Sequence, residues 1–163
     1  MVIGILSDTH GNLRAVRQAI GIFEECDAGA VFHCGDVGGL DVLRELAATG
    51  RSCWFVWGNT DLPNPDWAET VAAMGLYWPD GPLLVELDGK RIGVAHGHEW
   101  QLAAMKTDPL IDYILSGHTH QCRDERNGHA RIINPGALHR TAVRTVATLD
   151  LATDELRFHE LPG

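Results

Sequence analysis

Asp8, His10, Asp36, Asn59, His96, His118 and His120 share two properties. Each carries an oxygen or imidazole donor, and each stands at the end of a mainly apolar run. Val2 to Leu6 leads into Asp8 and His10, Ala30 to Gly35 into Asp36, and Cys53 to Gly58 into Asn59; Arg91 to Ala95 leads into His96, and Tyr113 to Gly117 into His118 and His120. One Asp or Asn after a strand is ordinarily a turn former or a helix cap. Seven donors at five strand ends point elsewhere, because the loops at the carboxyl ends of strands in an α/β sheet converge on one crevice. Hard oxygens and borderline nitrogens, without a thiolate, suit Mn²⁺, Fe or Zn²⁺ better than copper(I) or an iron–sulfur cluster. They are too many for one ion. They suit two ions sharing a bridging carboxylate about 3.5–4 Å apart, the separation of two-metal hydrolases.

The elements that must position these donors can be read from the pattern. Asn12 is a good N-cap, and Leu13, Val16, Ile20 and Phe23 follow at helical spacing to about Glu25. Strand Ala30–Cys34 then leads to a second amphipathic helix marked by Leu40, Leu43, Leu46 and Ala47 and closed by Gly50. This βαβ order predicts a parallel sheet with right-handed crossovers. A third strand, Cys53–Trp57, runs into a loop held by Pro63 and Pro65 and a short helix from about Asp66 to Met74. Beyond it, Leu83, Val85 and Leu87 alternate up to a type I′ signal at Asp88-Gly89, with Arg91–Ala95 as the hairpin partner. A helix over Gln101–Thr107 and a buried strand over Ile111–Leu115 follow. Two further hairpins turn at Asn127-Gly128 and across Ala152 to Glu155, the second joining Ala142–Leu149 to Leu156–His159. Two sheets packed face to face with helices outside is the simplest architecture. Residues 1–163 read as a single domain.

Composition narrows the function. Thirteen basic against 22 acidic residues give a net charge of −9, which argues against a surface that holds long nucleic acid through its phosphates. A small anionic substrate is compatible with that charge, since metal ions would dominate the local field. No run approaches the ~20 apolar residues of a membrane span. The chain enters a core-type strand at residue 2 without an export signal, so a cytoplasmic protein is expected. Cys26, Cys34, Cys53 and Cys122 form no Cys-x-x-Cys pair and read as free thiols.

Asp8-Thr9-His10, Gly35-Asp36, Gly58-Asn59-Thr60-Asp61, the lone His96 and Gly117-His118-Thr119-His120 resemble, in order and spacing, the five signature blocks of the calcineurin-like metallophosphoesterases. Asn134-Pro135-Gly136 resembles the closing motif of the small YfcE-like phosphodiesterase branch. The resemblance covers nearly the whole chain. It implies a four-layer α/β/β/α sandwich of two mixed sheets flanked by helices, the metallo-dependent phosphatase fold. It further implies that Asp8, His10 and His120 hold one divalent ion, that Asn59, His96 and His118 hold another, and that Asp36 bridges them. Mn²⁺ is the expected metal, with Fe, Zn²⁺ and Ni²⁺ as alternatives for this donor set. The implied reaction is hydrolysis of small phosphate esters, diesters foremost, by in-line attack of a metal-bridging hydroxide, with Asn59 also touching the phosphate.

One departure matters. Many family members place a His directly after this Asn to protonate the leaving group, and here that residue is Thr60. A hydroxyl cannot serve as a general acid near neutral pH, so His98 is the nearest replacement. Aryl phosphodiesters are then expected to react much better than alkyl monoesters.

His33 is expected in the core, and His129 and His159 on the surface. His139 reads as outside the pocket, with a place on its border as the alternative. Asp61 either orients a group of the site from behind or caps its own loop. Gly11, Gly35, Gly58 and Gly117 are expected where backbone closely approaches the site. Trp54 and Trp57 read as core or pocket wall, and Trp100 as lining the cleft. Two other functions are to be weighed: a non-catalytic interaction scaffold, as in the retromer subunit whose fold is similar, and a nuclease. All seven donors speak against the first, and the net charge against the second. Self-association through an exposed helix or sheet edge is compatible with the sequence.

Overall fold

The first strand, β1 (Val2–Leu6), sends alternate residues to opposite faces, and both faces are buried. Ile3 and Ile5 enter one hydrophobic cluster, while Val2 and Leu6 belong to another. Gly4 lies beneath the ring of Phe23, where a Cβ would come within 2.7 Å of it. A strand covered on both sides reads as a continuous apolar run.

The computed structural model describes residues 1–163. After β1 the chain forms α1 (Leu13–Glu25), β2 (Ala30–His33), α2 (Leu40–Ala48), β3 (Ser52–Phe55) and α3 (Ala68–Ala73). Then come β4 (Leu83–Leu87), β5 (Lys90–Val94), α4 (Gln101–Thr107), β6 (Tyr113–Leu115), β7 (Cys122–Asn127), β8 (Ala130–Pro135), β9 (Thr145–Asp150) and β10 (Glu155–Glu160). One sheet has the order β10-β9-β1-β2-β3 and the other β4-β5-β6-β8-β7. Both are mixed. β1, β2 and β3 run parallel, as do β5, β6 and β8, and the remaining pairs are antiparallel.

Three apolar clusters separate the layers. α1 and α2 pack Val16, Ala19, Phe23, Leu43 and Leu46 on Leu6, Val31 and Phe55 of the first sheet. Between the sheets, Ile3, Ile5 and Phe32 meet Val85, Ile92, Val94 and Leu115. Leu102 and Met105 of α4 cover Ile114 and Ile132 on the outer face of the second sheet. Helix, sheet, sheet, helix is therefore the order of layers. No helix is long and apolar enough to cross a membrane.

Several boundaries move from their expected places. β3 stops at Phe55, and β6 begins only at Tyr113 because Ile111 turns outward to the α4 cluster and its N–H bonds to Asp108 O. The helix expected from Asp66 opens as a 3-10 turn over Pro65–Trp67, capped by Asn64, before α3 begins. The strand expected from Ala142 begins at Thr145; the polar run His139-Arg140-Thr141 stays outside the ladder. At the β4/β5 hairpin Asp88 and Gly89 both take positive φ, 51° and 73°, as a type I′ turn requires. The β7/β8 hairpin pairs Asn127 with Ala130, so its loop is Gly128-His129, one residue later than expected, with positive φ at Gly128 alone.

Candidate metal centre

β1, β2, β3, β5 and β6 deliver their carboxyl ends to one edge of the sandwich. There the backbone bends sharply: Asp8, His10, Asp36, His118 and His120 have φ of 53°, 43°, 53°, 70° and 59°. The left-handed region costs a non-glycine residue about 1–2 kcal/mol, and such strain gathers where a site fixes a side chain's direction. The bends are held by the main chain. Asp8 N–H donates to Gly35 O, His10 N–H to Asp36 O and Gly117 N–H to His96 O, at 2.8–3.0 Å.

The side chains so aimed converge. His120 Nε2 lies 3.1 Å from Asp8 Oδ1, His10 Nε2 lies 3.4 Å from Asp36 Oδ2, and His96 Nε2 lies 3.5 Å from Asp36 Oδ1 and 4.0 Å from Asp8 Oδ1. Asn59 Oδ1 is 3.0 Å from His96 Nε2. Asp8, His10 and His120 form one group with ligand atoms within 4.8 Å of one another, and Asp8, Asp36 and His96 a second. Asp8 is thus common to both, while Asp36 faces His10 with one oxygen and His96 with the other. The His118 ring lies outside both groups, stacked edge-on against His96 at 5.1 Å between centroids.

The donor set fits a cation. His96 Nδ1 is 2.8 Å from the carbonyl of Cys34, to which only a protonated nitrogen can bond, so in the neutral ring Nε2 presents a lone pair. That lone pair faces Asn59 Oδ1 and Asp36 Oδ1. Asp8 Oδ1 and His10 Nε2 are buried without any hydrogen bond. Acceptors crowded on one point, two of them desolvated and unsatisfied, cost about 1–3 kcal/mol each; a divalent ion among them removes that cost. Burial pushes the Asp36 carboxyl up, but hydrogen bonds from Thr60, with His96 and His10 nearby, outweigh it and hold Asp36 below the usual carboxylate range.

Outside this cluster stands a support that the motif residues alone do not reveal. Asp61 accepts the N–H groups of Val37, Gly38 and Gly58 at 2.8–3.0 Å, so it clasps the Asp36 loop to the Asn59 loop. Its carboxylate therefore orients the site from behind. Glu99 accepts the N–H of His96 and of Gly97, both at 2.7 Å. The Ser7 hydroxyl donates to Asp8 Oδ2 at 2.6 Å, and the His118 N–H to the same oxygen at 3.1 Å. Asn134 donates to Gly117 O and Thr119 Oγ1, pinning the loop of His118 and His120. His33 is fully buried and accepts Gly35 N–H at Nδ1, so its Nε2–H donates to Thr9 Oγ1, whose own proton goes to Val37 O. Burial, with His96 nearby, lowers the His33 pKa to about 3, so the ring is neutral.

Three of the four glycines expected beside the site are there for lack of room. A Cβ would come within 2.1 Å of Asp36 Oδ1 at Gly58, 1.9 Å of Ser7 Oγ at Gly117 and 2.5 Å of His96 Nδ1 at Gly35. Gly11 differs: nothing lies nearer than 3.4 Å, and its φ of +76° is the reason for glycine there.

At the rim, Thr60 N–H donates to Asp36 Oδ1 at 3.0 Å and its hydroxyl lies 3.4 Å from His10 Nδ1. The His98 side chain, 40% exposed, stands 5.5 Å from the His96 ring and 6.2 Å from that of His118. His139 does border the cluster, its ring 5.3 Å from that of His10; burial, then His10 and Arg140, lower its pKa. The loop that carries it is tied down by Leu138 N–H to Asp8 O and by the Asn12 amide to Leu138 O. Trp100 is 79% exposed at the head of α4. Trp54 stacks on Phe32, and Trp57 packs edge-on against Phe55 and Trp78, as core residues do. His129 is exposed as expected, but His159 is half-buried, hydrogen-bonded to Thr148 across the β9/β10 pair. All four cysteines are free.

Comparison with known proteins matches this frame. Residues 1–154 match the calcineurin-like phosphoesterase superfamily domain. A phosphodiesterase of Methanocaldococcus jannaschii is 31% identical over 163 residues, covering 96% of this chain and 97% of that protein. The solved structure of an archaeal phosphodiesterase, also 31% identical, superposes with a TM-score of 0.87 over 99% of this chain and all of that one. The phosphoesterase YfcE of E. coli, 21% identical, shares the fold at a TM-score of 0.69 over 99% of this chain and all of its own. The chain is therefore a hydrolase of the calcineurin-like phosphoesterase superfamily.

Proposed function

We propose that this protein is a dinuclear, metal-dependent phosphodiesterase acting on small phosphate esters. The carrying observation is the convergence of Asp8 Oδ1, His10 Nε2, His96 Nε2, Asn59 Oδ1 and the Asp36 carboxylate, of which Asp8 Oδ1 and His10 Nε2 are buried without a hydrogen-bond partner. Asp8, His10 and His120 would hold one ion, Asn59, His96 and His118 the other, and Asp36 both. Mn²⁺ is the proposed metal, with Fe, Zn²⁺ or Ni²⁺ also suited to these donors. When bound, such a pair supplies Lewis-acid neutralisation of the phosphoryl oxygens and lowers the pKa of water.

The chain's own residues do the rest. The Asn59 amide directs an N–H at a phosphoryl oxygen while its carbonyl faces the metal side. Thr60 keeps Asp36 ionised and turned inward. A water gives up one proton to solvent as its oxygen forms the new P–O bond in line with the ester P–O bond that breaks, and the leaving oxygen takes its proton from His98, the imidazole at the rim, which regains one from solvent. With Thr60 where an acid could stand, diesters with good leaving groups are the favoured class. The rim carries too few cations for long nucleic acid, and the proposed setting is the cytoplasm.

The test is hydrolysis of bis(p-nitrophenyl) phosphate by chelator-stripped protein with Mn²⁺ restored, beside Asp36→Asn. Activity that returns with metal and is lost in the variant supports the reading. Absence of turnover with the ions demonstrably bound overturns it.

A further inference from the structure

A cavity of about 390 Å³ opens on the α4 side of the loop that carries His118 and His120. That volume lies in the range of small-molecule sites, about 300–1,000 Å³. Its walls are built from the signature loops themselves. Gly97 stands between His96 and His98, Thr119 stands between His118 and His120, and Gly117 and Ser116 precede them. Lys106 and Arg123 enter from α4 and β7.

The charge of this cavity is out of keeping with the chain. Acidic residues outnumber basic ones 22 to 13, and the other clefts of comparable size, 230–290 Å³, each carry carboxylates: Glu25, Asp150 and Glu155 in one, Asp41, Asp61 and Asp112 among the rest. This one has two cations, Ser, Thr, Gln and Asn side chains, and no carboxylate. A lysine in the last turn of a helix is accounted for by the helix carbonyls alone, so Lys106 by itself points to nothing. Its company does. Lys106 has no ion-pair partner, although most of the chain's arginines and its other lysine, Lys90, are paired. Ser116, 6% exposed, offers a hydroxyl that bonds no protein group. Arg123 is paired with Glu125 and the Asn134 amide is spent on Gly117 and Thr119, so the free charge is that of Lys106 and the free donor the Ser116 hydroxyl. A cation without a counter-charge beside a free donor is what an anion's oxygens require.

We propose that this cavity is an anion subsite that takes a second phosphoryl group carried on one ester arm of the substrate. This rests on the phosphodiesterase reading and narrows it to diesters of phosphorylated alcohols, such as nucleotides bearing a further terminal phosphate. Lys106 supplies the charge, Arg123 a directional pair of N–H groups in competition with Glu125, and Ser116 a short hydrogen bond from the cavity floor.

Two measurements on the whole 163-residue chain test it. The first compares kcat/KM for thymidine 5′-(p-nitrophenyl phosphate) with and without a 3′-phosphate, beside bis(p-nitrophenyl) phosphate as a control for the chemistry. The added phosphate is expected to raise kcat/KM about tenfold or more, and Lys106→Gln combined with Arg123→Gln to bring that ratio to about one. The second titrates inorganic phosphate into the Zn²⁺-loaded protein while the side-chain NMR signals of Lys106 and Arg123 are followed; they are expected to shift saturably. A ratio near one in the wild type, with the control substrate turned over, overturns the proposal. If the control is not turned over, the phosphodiesterase reading fails on its own account, and unmoved Lys106 and Arg123 signals then overturn the subsite as well.

Discussion

The ring of His96 donates from Nδ1 to the carbonyl of Cys34 at 2.8 Å, and this bond joins the end of β5 in one sheet to the end of β2 in the other. It sets the tautomer of His96 and so the direction of the lone pair at Nε2. Room for it exists because residue 35 has no side chain: a Cβ there would lie 2.5 Å from Nδ1, and φ is +93°. Gly35→Ala is expected to cost about 2–4 kcal/mol, from overpacking and left-handed strain together, and to lower metal occupancy. Urea denaturation and metal analysis of the purified variant measure both; a wild-type midpoint with full occupancy would show that the ring is free to move.

Asp61 carries a similar burden from further away. Its two oxygens take three backbone N–H groups from two loops, and in Asp61→Ala those groups lose their partner together. A destabilisation of about 2–3 kcal/mol is expected, with weaker metal binding, since Asp36 and Asn59 sit on the released loops. Calorimetric titration with Zn²⁺ would register the second effect; an unchanged affinity would confine Asp61 to stability.

Asp8 separates stability from function. Its Oδ2 accepts from Ser7 and from the His118 N–H, but its Oδ1 is buried and unbonded 3.1 Å from His120 Nε2, so the metal-free protein holds a carboxylate oxygen without a donor. Asp8→Asn supplies an N–H toward His120 while its carbonyl still accepts from Ser7. The metal-free variant is therefore expected to be about 1–2 kcal/mol more stable than metal-free wild type. Saturating metal adds about 2.7 kcal/mol to the wild type at a hundred times Kd, and the variant should lose most of that gain. Melting with and without chelator makes the comparison, and a metal-free variant less stable than wild type would contradict it.

How much of this is visible in the chain depends on whether a residue's partner is near it in sequence. The donors Asp8 to His120 are legible because each closes an apolar run, and the layers are legible because strands covered on both faces look different from the hairpins Asp88-Gly89 and Ala152 to Glu155 announce. His33 is not legible as a support, since its ring meets the hydroxyl of Thr9 from another loop; Ser7, beside Asp8, and Glu99, three residues beyond His96, have near partners that their side chains reach only once the loops are folded. Asp61 lies in a signature block, yet its partners Val37 and Gly38 come from another. The strand expected from Ala142 starts late for the same reason: Ala142 to Arg144 read as strand-compatible, and the ties of Leu138 to Asp8 and Asn12 hold the segment before them at the cleft.

His33 should leave a mark on the pH dependence of stability. Its folded pKa, about 3, lies below the ordinary value of 6.5 because burial disfavours the charged ring. Below pH 6.5 the unfolded chain takes a proton that the folded one refuses, so stability falls as pH drops toward 3, by up to about 1.4 kcal/mol per unit. Between pH 7 and pH 5 this residue alone is expected to account for about 2 kcal/mol. His33→Asn, less stable at pH 7, should show a shallower decline than wild type in urea denaturation of the chelated protein. Parallel declines would mean that the buried ring is not what the acid attacks.

Thr60 occupies a place from which a stronger acid could act. Its N–H reaches Asp36 and its hydroxyl lies 3.4 Å from His10 Nδ1, so a longer imidazole there would extend past His10 toward the ester. General acid catalysis contributes about 10²–10⁴-fold where the leaving group needs a proton, and hardly at all for nitrophenolate, which leaves unaided. Thr60→His is therefore expected to raise kcat for glycerol phosphate by about 10² while bis(p-nitrophenyl) phosphate changes little. His98→Gln should lower alkyl-ester turnover in the wild type, and have less effect once His stands at position 60. The four rate constants, two proteins by two substrates, are read with and without the His98 change. If Thr60→His speeds both substrates equally, it acts on the metal site through His10; if His98→Gln leaves alkyl esters untouched, the proton comes from water rather than from the rim.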